Sequence, residues 1–230
     1  MSLLRSDLAI IKEWITPGSR VLDLGCGNGA LLKALRDERR VEGYGLEINP
    51  TNIVSCLQSG INVIHLDLDK GLDDFDDQAF DYVIMTQTLQ AVHFPDHLLQ
   101  EVLRVGKEGI VTFPNFAYWK NRMQIGLQGK MPVSRALPGQ WYESNNIHLC
   151  TIKDFQQLCR LRNIKIQKKV VLDHAHRASG PITFLPNLLG QIAIYRCQRD
   201  GRPIKFPLAA ETDGTDYDGR LSYTPLSRRS

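Results

Sequence analysis

The 230-residue sequence is 43% hydrophobic and 23% charged, with 28 basic against 25 acidic residues and a net charge of +3. A chain of this size buries about 70% of its unfolded surface, so it needs neither disulfides nor a metal to hold a core. There is no basic run of the kind nucleic acid selects and no apolar stretch near the ~18 residues that cross a bilayer, so neither nucleic acid nor a membrane is expected as a partner.

Met1 to Asp7 meets an acid before a signal-peptide core can form, which argues against secretion. Leu4, Leu8, Ile11 and Ile15 recur at helical spacing, and Pro17-Gly18 ends that opening helix. Arg20 to Leu24 is a short strand running into the turn Gly25-Cys26-Gly27-Asn28-Gly29, after which Ala30, Leu31, Ala34 and Leu35 mark a second helix. Tyr44 to Glu47 ends a second strand, and Asn49-Pro50 supplies an N-cap with proline at the first helical position. Strands are expected at Ile61–Leu66, Phe80–Met85 and Gly109–Phe113. Strands separated by helices of about ten residues predict right-handed crossovers and a largely parallel sheet.

From Pro114 to Cys150 the rhythm loosens into a stretch holding Trp119 and Trp141, too long and too aromatic for a plain connector. Thr151 to Asp154 reads as a capping box opening another helix, and Ile164–Leu172 and Gly190–Cys197 as closing strands. The expected organisation is one domain over 1–198, with the aromatic insertion at 114–150 and a polar, disordered tail at 199–230. Cys26, Cys56, Cys150, Cys159 and Cys197 form no CxxC pair. They read as reduced thiols of a cytoplasmic protein, with no zinc site.

Strand, glycine turn and helix together make a nucleotide-type binding site: the glycines let backbone approach a ligand that faces the helix N-terminus. Glu47, at the end of the next strand, is placed to accept hydrogen bonds from ribose hydroxyls. The turn fits the dinucleotide pattern GxGxxA as well as GxGxG, so an NAD-linked oxidoreductase competes with a binder of S-adenosylmethionine. Asp23 favours the second, because a carboxylate beside the turn repels phosphate and attracts the cationic amino and sulfonium groups. Asp67, just past the third strand, adds an acceptor for an adenine amino group.

Val21-Leu22-Asp23-Leu24-Gly25-Cys26-Gly27-Asn28-Gly29 resembles the first motif of the class I methyltransferases. Further stretches resemble one branch, the methionine biosynthesis family MetW: Gly43–Ile48, Asp67–Leu72, Met85–His93, Thr112–Phe116, Met131–Ser134, Asn146–His148 and Pro186–Gly190. The resemblance runs from about residue 5 to residue 197, with departures at Asn28, where the family has an acid, and at Ser144-Asn145, where it has Thr-Pro. It implies an α/β class I methyltransferase (Rossmann-like) fold, with a mainly parallel sheet of about seven strands, an antiparallel last strand and helices on both faces. The expected cofactor is S-adenosyl-L-methionine without a metal. The expected cofactor-binding residues are Asp23, Gly25, Cys26, Gly27, Gly29, Glu47, Ile48, Asp67, Leu68 and Thr86.

The resemblance also implies a partner, homoserine O-acyltransferase, which MetW-like proteins are thought to support. The chain has no GxSxG nucleophile elbow, so it is not expected to be the acyl-transferring enzyme itself. Two readings stay open: an S-adenosylmethionine-binding partner of that enzyme, with the aromatic insertion as contact surface, or a methyltransferase acting on a small molecule. For the second, His93 and His148 are candidate general bases, because imidazole titrates near neutrality. Their plain alternatives are a helix-entry residue and a loop hydrogen bond. His174-Ala175-His176 offers two imidazoles but no third metal ligand. Pro114-Asn115 with Phe116, Tyr118 and Trp119 reads as aromatic packing or a partner surface.

Overall fold

The computed structural model describes residues 4–134, 136–144, 146–173 and 180–200. His174, His176, Asn145 and the expected tail beyond Asp200 lie outside them. Seven strands form one sheet: β1 (Arg20–Leu24), β2 (Glu42–Glu47), β3 (Asn62–His65), β4 (Phe80–Thr86), β5 (Gly106–Pro114), β6 (Ile164–Leu172) and β7 (Ile192–Arg199). Their order is β3-β2-β1-β4-β5-β7-β6. Strands β1 to β5 pair in parallel, and β7 runs antiparallel to both β5 and β6. The class I methyltransferase architecture expected from the sequence is the one observed.

Helices cover both faces because the inner strands are apolar on both sides, the pattern of a buried parallel sheet. On one face Leu22, Leu24, Val83, Met85 and Val111 pack with α4 (Pro95–Val105) and α6 (Ile152–Leu161). Phe113, Phe155 and Tyr195 stack there, with ring centroids 4.7 to 5.9 Å apart. On the other face Val21, Ile84, Ile110 and Ile194 pack with α1 (Ser6–Trp14), α2 (Ala30–Arg39) and Cys56 of α3 (Pro50–Gln58).

Local chemistry sets the helix starts as anticipated. Asn49 Oδ1 accepts from the backbone amides of Thr51 and Asn52, ahead of α3. Thr151 Oγ1 accepts from the Asp154 amide, ahead of α6. The insertion opens with α5 (Trp119–Gln128) and continues as irregular chain to α6. The short helices α7 (Gly180–Phe184) and α8 (Pro186–Leu189) lead into β7. Among the described residues no helix is long and apolar enough to cross a membrane.

Candidate functional site

The strand order reverses at β1: β2 and β3 lie to one side, β4 and β5 to the other. In open α/β sheets the crevice at such a reversal, at the strands' carboxyl ends, is where ligands bind. Here it is a cleft of ≈ 290 Å³. Gly25 forms one wall, Glu47 and Ile48 leave β2 into a second, and Asp67 and Leu68 follow β3 into a third. The remaining side comes from Gln87, Thr88, Ala91 and Val92, beyond β4.

The glycine turn is closed by backbone bonds. The amides of Gly25 and Cys26 both donate to the Leu46 carbonyl, at 2.8 and 3.1 Å, tying the turn to β2. Gly25 has φ +72°, and a Cβ there would lie 2.7 Å from Thr88 Oγ1. Both the backbone conformation and the approach of Thr88 therefore require glycine. At Gly27, φ is +55° and a Cβ would meet nothing within 4 Å, so that position is an open cradle beside the helix N-terminus.

Glu47 is the organiser of this end of the sheet. It is buried, and its Oε1 accepts from the amides of Ile48 and Asn49 at 2.8 and 2.9 Å. Oε2 accepts from the Gly27 amide at 2.8 Å and from Asn52 Nδ2 at 3.3 Å. A carboxylate has about four acceptor positions, and all four are used. A ribose hydroxyl could bind Glu47 only by taking the place of one donor, and the long Asn52 contact is the weakest of them.

Asp23 sits differently from the lip position its spacing implied. It is 1% exposed, shares its strand face with Val21 on the α1–α2 side of the sheet, and its Oδ1 has no hydrogen-bond partner among the described residues. Burial, then the Glu47 charge, push its pKa up to about 7, against the opposing pull of Arg5. Near neutral pH it is only partly ionised, so repulsion of phosphate is a weaker argument than the sequence alone made it. What remains is a buried acceptor below the turn, which favours a donor or a cation brought close to it.

The other expected residues divide. Gly25, Glu47, Ile48, Asp67 and Leu68 share the cleft wall. Asp67 also caps the turn Leu68–Lys70 by accepting from the Asp69 amide at 3.1 Å. Cys26 packs its sulfur 3.9 Å from that of Cys56, and Gly29, φ +74°, is the N-cap of α2. Both stand outside the wall, as does Thr86, whose carbonyl accepts from Thr88 Oγ1. Asn28 Oδ1 accepts from the Ala30 amide at 3.2 Å, just ahead of α2.

His93 and His148 come together, though neither lines the cleft. His93 is held by Asp69, which takes the His93 amide on Oδ1 at 2.8 Å and lies 2.6 Å from ring Nδ1 through Oδ2. Burial acts to raise the Asp69 pKa, but the two His93 contacts outweigh it and bring it below the usual value. His148 Nε2 lies 3.2 Å from the His93 carbonyl oxygen. His148 makes a loop hydrogen bond, as in its plain reading, whereas His93 precedes α4 and is also oriented by Asp69. Asn115 is likewise structural: its amide group joins Asn187, Gly190, Ala117 and Ile152 across the exit of β5.

Sequence reasoning missed Thr88, Ala91 and Val92 as wall residues, and Asp69 as the partner of His93. Gln87 is one of four described non-glycine residues at positive φ, at +55°, and lines the cleft, with its amide bonded to Thr112 O and Oγ1. Such strain concentrates at functional sites. The turn Leu89–Ala91 that follows also anchors the insertion, because the Gln90 carbonyl accepts from the amides of Ile147 and His148.

The family model of the methionine biosynthesis protein MetW matches residues 5–197. The chain belongs to the MetW family. It is 38% identical over 211 residues to a bifunctional methionine biosynthesis protein MetXA/MetW of Rhodopirellula baltica, covering 86% of this chain and 33% of that protein. The chain thus spans about a third of that relative's length. A ubiquinone biosynthesis O-methyltransferase of Hahella chejuensis is 24% identical, over 72% of this chain and 78% of its own. Among solved structures, an S-adenosylmethionine-dependent methyltransferase from Mesorhizobium loti superposes with a TM-score of 0.63 at 17% identity, covering 85% of this chain and 98% of that one. At that identity the likeness speaks for the fold, and the site must speak for the chemistry.

Proposed function

We propose that this MetW-family chain is an S-adenosylmethionine-binding partner that supports homoserine O-acyltransferase in methionine biosynthesis. The observation that carries the partnership is the Rhodopirellula relative, in which a MetW part is covalently joined to a MetXA part. Fusion gives two units a high effective concentration for each other, and selection keeps such a tether where the units work together.

Support for the ligand comes from the cleft at the sheet's reversal point, the open cradle at Gly27 and the buried, unpartnered Asp23 oxygen. These fit a ligand with an adenosine body and a cationic amino-acid end. Asp67 and Leu68 would flank the base, Glu47 would take the ribose, and Asp23 would act from below the turn on the cationic end.

The test is calorimetry of the pure chain with S-adenosylmethionine and NADH, followed by size-exclusion of the chain mixed with purified homoserine O-acyltransferase. Binding of S-adenosylmethionine and co-elution are expected. NADH binding in place of S-adenosylmethionine overturns the ligand, and separate elution overturns the partner. A second reading, methyl transfer to a small molecule, is favoured by the orientation of the exposed His93 by Asp69 at the cleft's edge. Bound S-adenosylmethionine would supply the activated methyl group. Label transfer to a small product, lost in Glu47→Ala, would establish that reading.

A further inference from the structure

Helix α5 is turned inside out. Its one buried residue is the polar Asn121, whose Nδ2 donates to the carbonyls of Phe116 and Asn115 at 3.2 and 3.4 Å. Arg122 Nε adds a bond to the Ala117 carbonyl. The helix is thus pinned by polar bonds to the chain leaving β5. Trp119, Met123 and Leu127, spaced four residues apart, form a single stripe on the side away from Asn121. They are 41%, 47% and 75% exposed. An amphipathic helix ordinarily turns such a stripe onto the core.

The chain after α5 extends the surface. Met131, Trp141 and Ile147 are exposed, and they ring a recess of ≈ 110 Å³ floored by Phe116 and Leu137. Exposed apolar side chains around a concave centre mark an interaction site. Its frame is mainly basic: of the described charged residues from Pro114 to Cys150, Lys120, Arg122 and Lys130 stand against one acid, Glu143. Lys120 Nζ lies 5.6 Å from the Trp119 ring centroid.

The charge decides among occupants. A two-fold dimer through this patch would set the three cations of each copy against those of the other, with only Glu143 to offset them. A membrane surface would engage a convex apolar stripe but leave the recess unfilled. A folded partner with a protruding apolar knob and an acidic rim satisfies all three features.

We infer that the outward stripe of α5 and the adjoining recess form the docking surface for homoserine O-acyltransferase, through an acid-rimmed apolar projection on that enzyme. The inference rests on the partnership proposed above and adds where the contact is made and by what chemistry. Trp119 and Leu127 are its apolar anchors, and Lys120 and Lys130 set orientation and encounter rate.

The experiment measures affinity of the purified acyltransferase for the wild-type chain and for Leu127→Glu, Trp119→Ala and Lys120→Glu/Lys130→Glu. Calorimetry with S-adenosylmethionine checks that each variant keeps the wild-type cofactor response. Expected are losses of about tenfold or more for Leu127→Glu and Trp119→Ala, and a loss for the charge-reversed variant that shrinks as salt is raised. If the wild-type chain binds and all three variants bind equally well, the surface assignment falls and the partnership stands. If the wild-type chain does not bind, the partnership itself falls. Self-association abolished by Leu127→Glu would give the surface to a second copy, and adsorption to anionic phosphatidylserine vesicles abolished by the same change would give it to a membrane. Either result overturns the assignment.

Discussion

The glycine-turn end of the sheet and the insertion after β5 satisfy their groups in opposite ways. At the turn, nearly every polar group closes on another within the chain: four donors on Glu47, two amides on the Leu46 carbonyl. In the insertion the amide donors of Asn115 and Asn121 are taken up by backbone carbonyls, and the apolar side is left open. A site that must hold a small ligand gains from rigidity set in advance. A surface that must hold a protein can leave its burial to be completed by that protein. The one turn that touches both, Leu89–Ala91, holds a cleft wall residue and the anchor of the insertion.

Four substitutions break or sharpen this contrast. Phe113→Ala removes the ring packed against Phe155 and Tyr195 under β5, and about 3–5 kcal/mol of stability should be lost in urea unfolding. An effect below that range would mean the sheet's apolar core is not what supports either region. Glu47→Ala strips four donors of their acceptor and should cost about 1–3 kcal/mol, together with S-adenosylmethionine binding in calorimetry. Retained binding would show that Glu47 serves the turn alone.

Asp23→Asn should act through pH. The carboxyl's folded-state pKa, about 7, lies above its ordinary 3.8. The folded chain therefore holds a proton that the unfolded chain has released, and stability falls as pH rises through that window. The asparagine variant should show a shallower fall across the same range. Affinity for a cationic ligand should rise toward and past neutrality in the wild-type chain and stay flat in Asp23→Asn. Parallel profiles for the two proteins would remove Asp23 from both roles. Met123→Ser is the smallest: a half-exposed residue of the outward stripe should change stability by no more than about 0.5 kcal/mol. A large loss would mean that α5 is held by its apolar side after all.

Much of the fold was readable because it is written in local chemistry. Asn49-Pro50 announces α3, Thr151 with Asp154 announces α6, and β-rich runs at Arg20, Phe80 and Ile164 announce strands wherever they later pair. The five wall residues found from sequence, Gly25, Glu47, Ile48, Asp67 and Leu68, share one property. Each follows directly from the end of a strand, so the order of elements already brings it to the same edge. Thr88, Ala91 and Val92 were invisible because a left-handed residue at Gln87 and a one-turn helix redirect the chain before it reaches the cleft. The Asp69–His93 pair joins residues 24 positions apart, on segments that only the sheet order sets side by side.

By itself the sequence determined which segments are helix or strand, the glycine turn, the parallel rhythm and the basic excess of the insertion, since propensity, capping and charge act within a few residues. The tertiary structure alone decided that Asp23 is buried and only partly charged, that Glu47 spends its oxygens on backbone amides, and that α5 faces outward. Those are outcomes of desolvation and competition for hydrogen-bond partners, which depend on what distant segments bring near a residue.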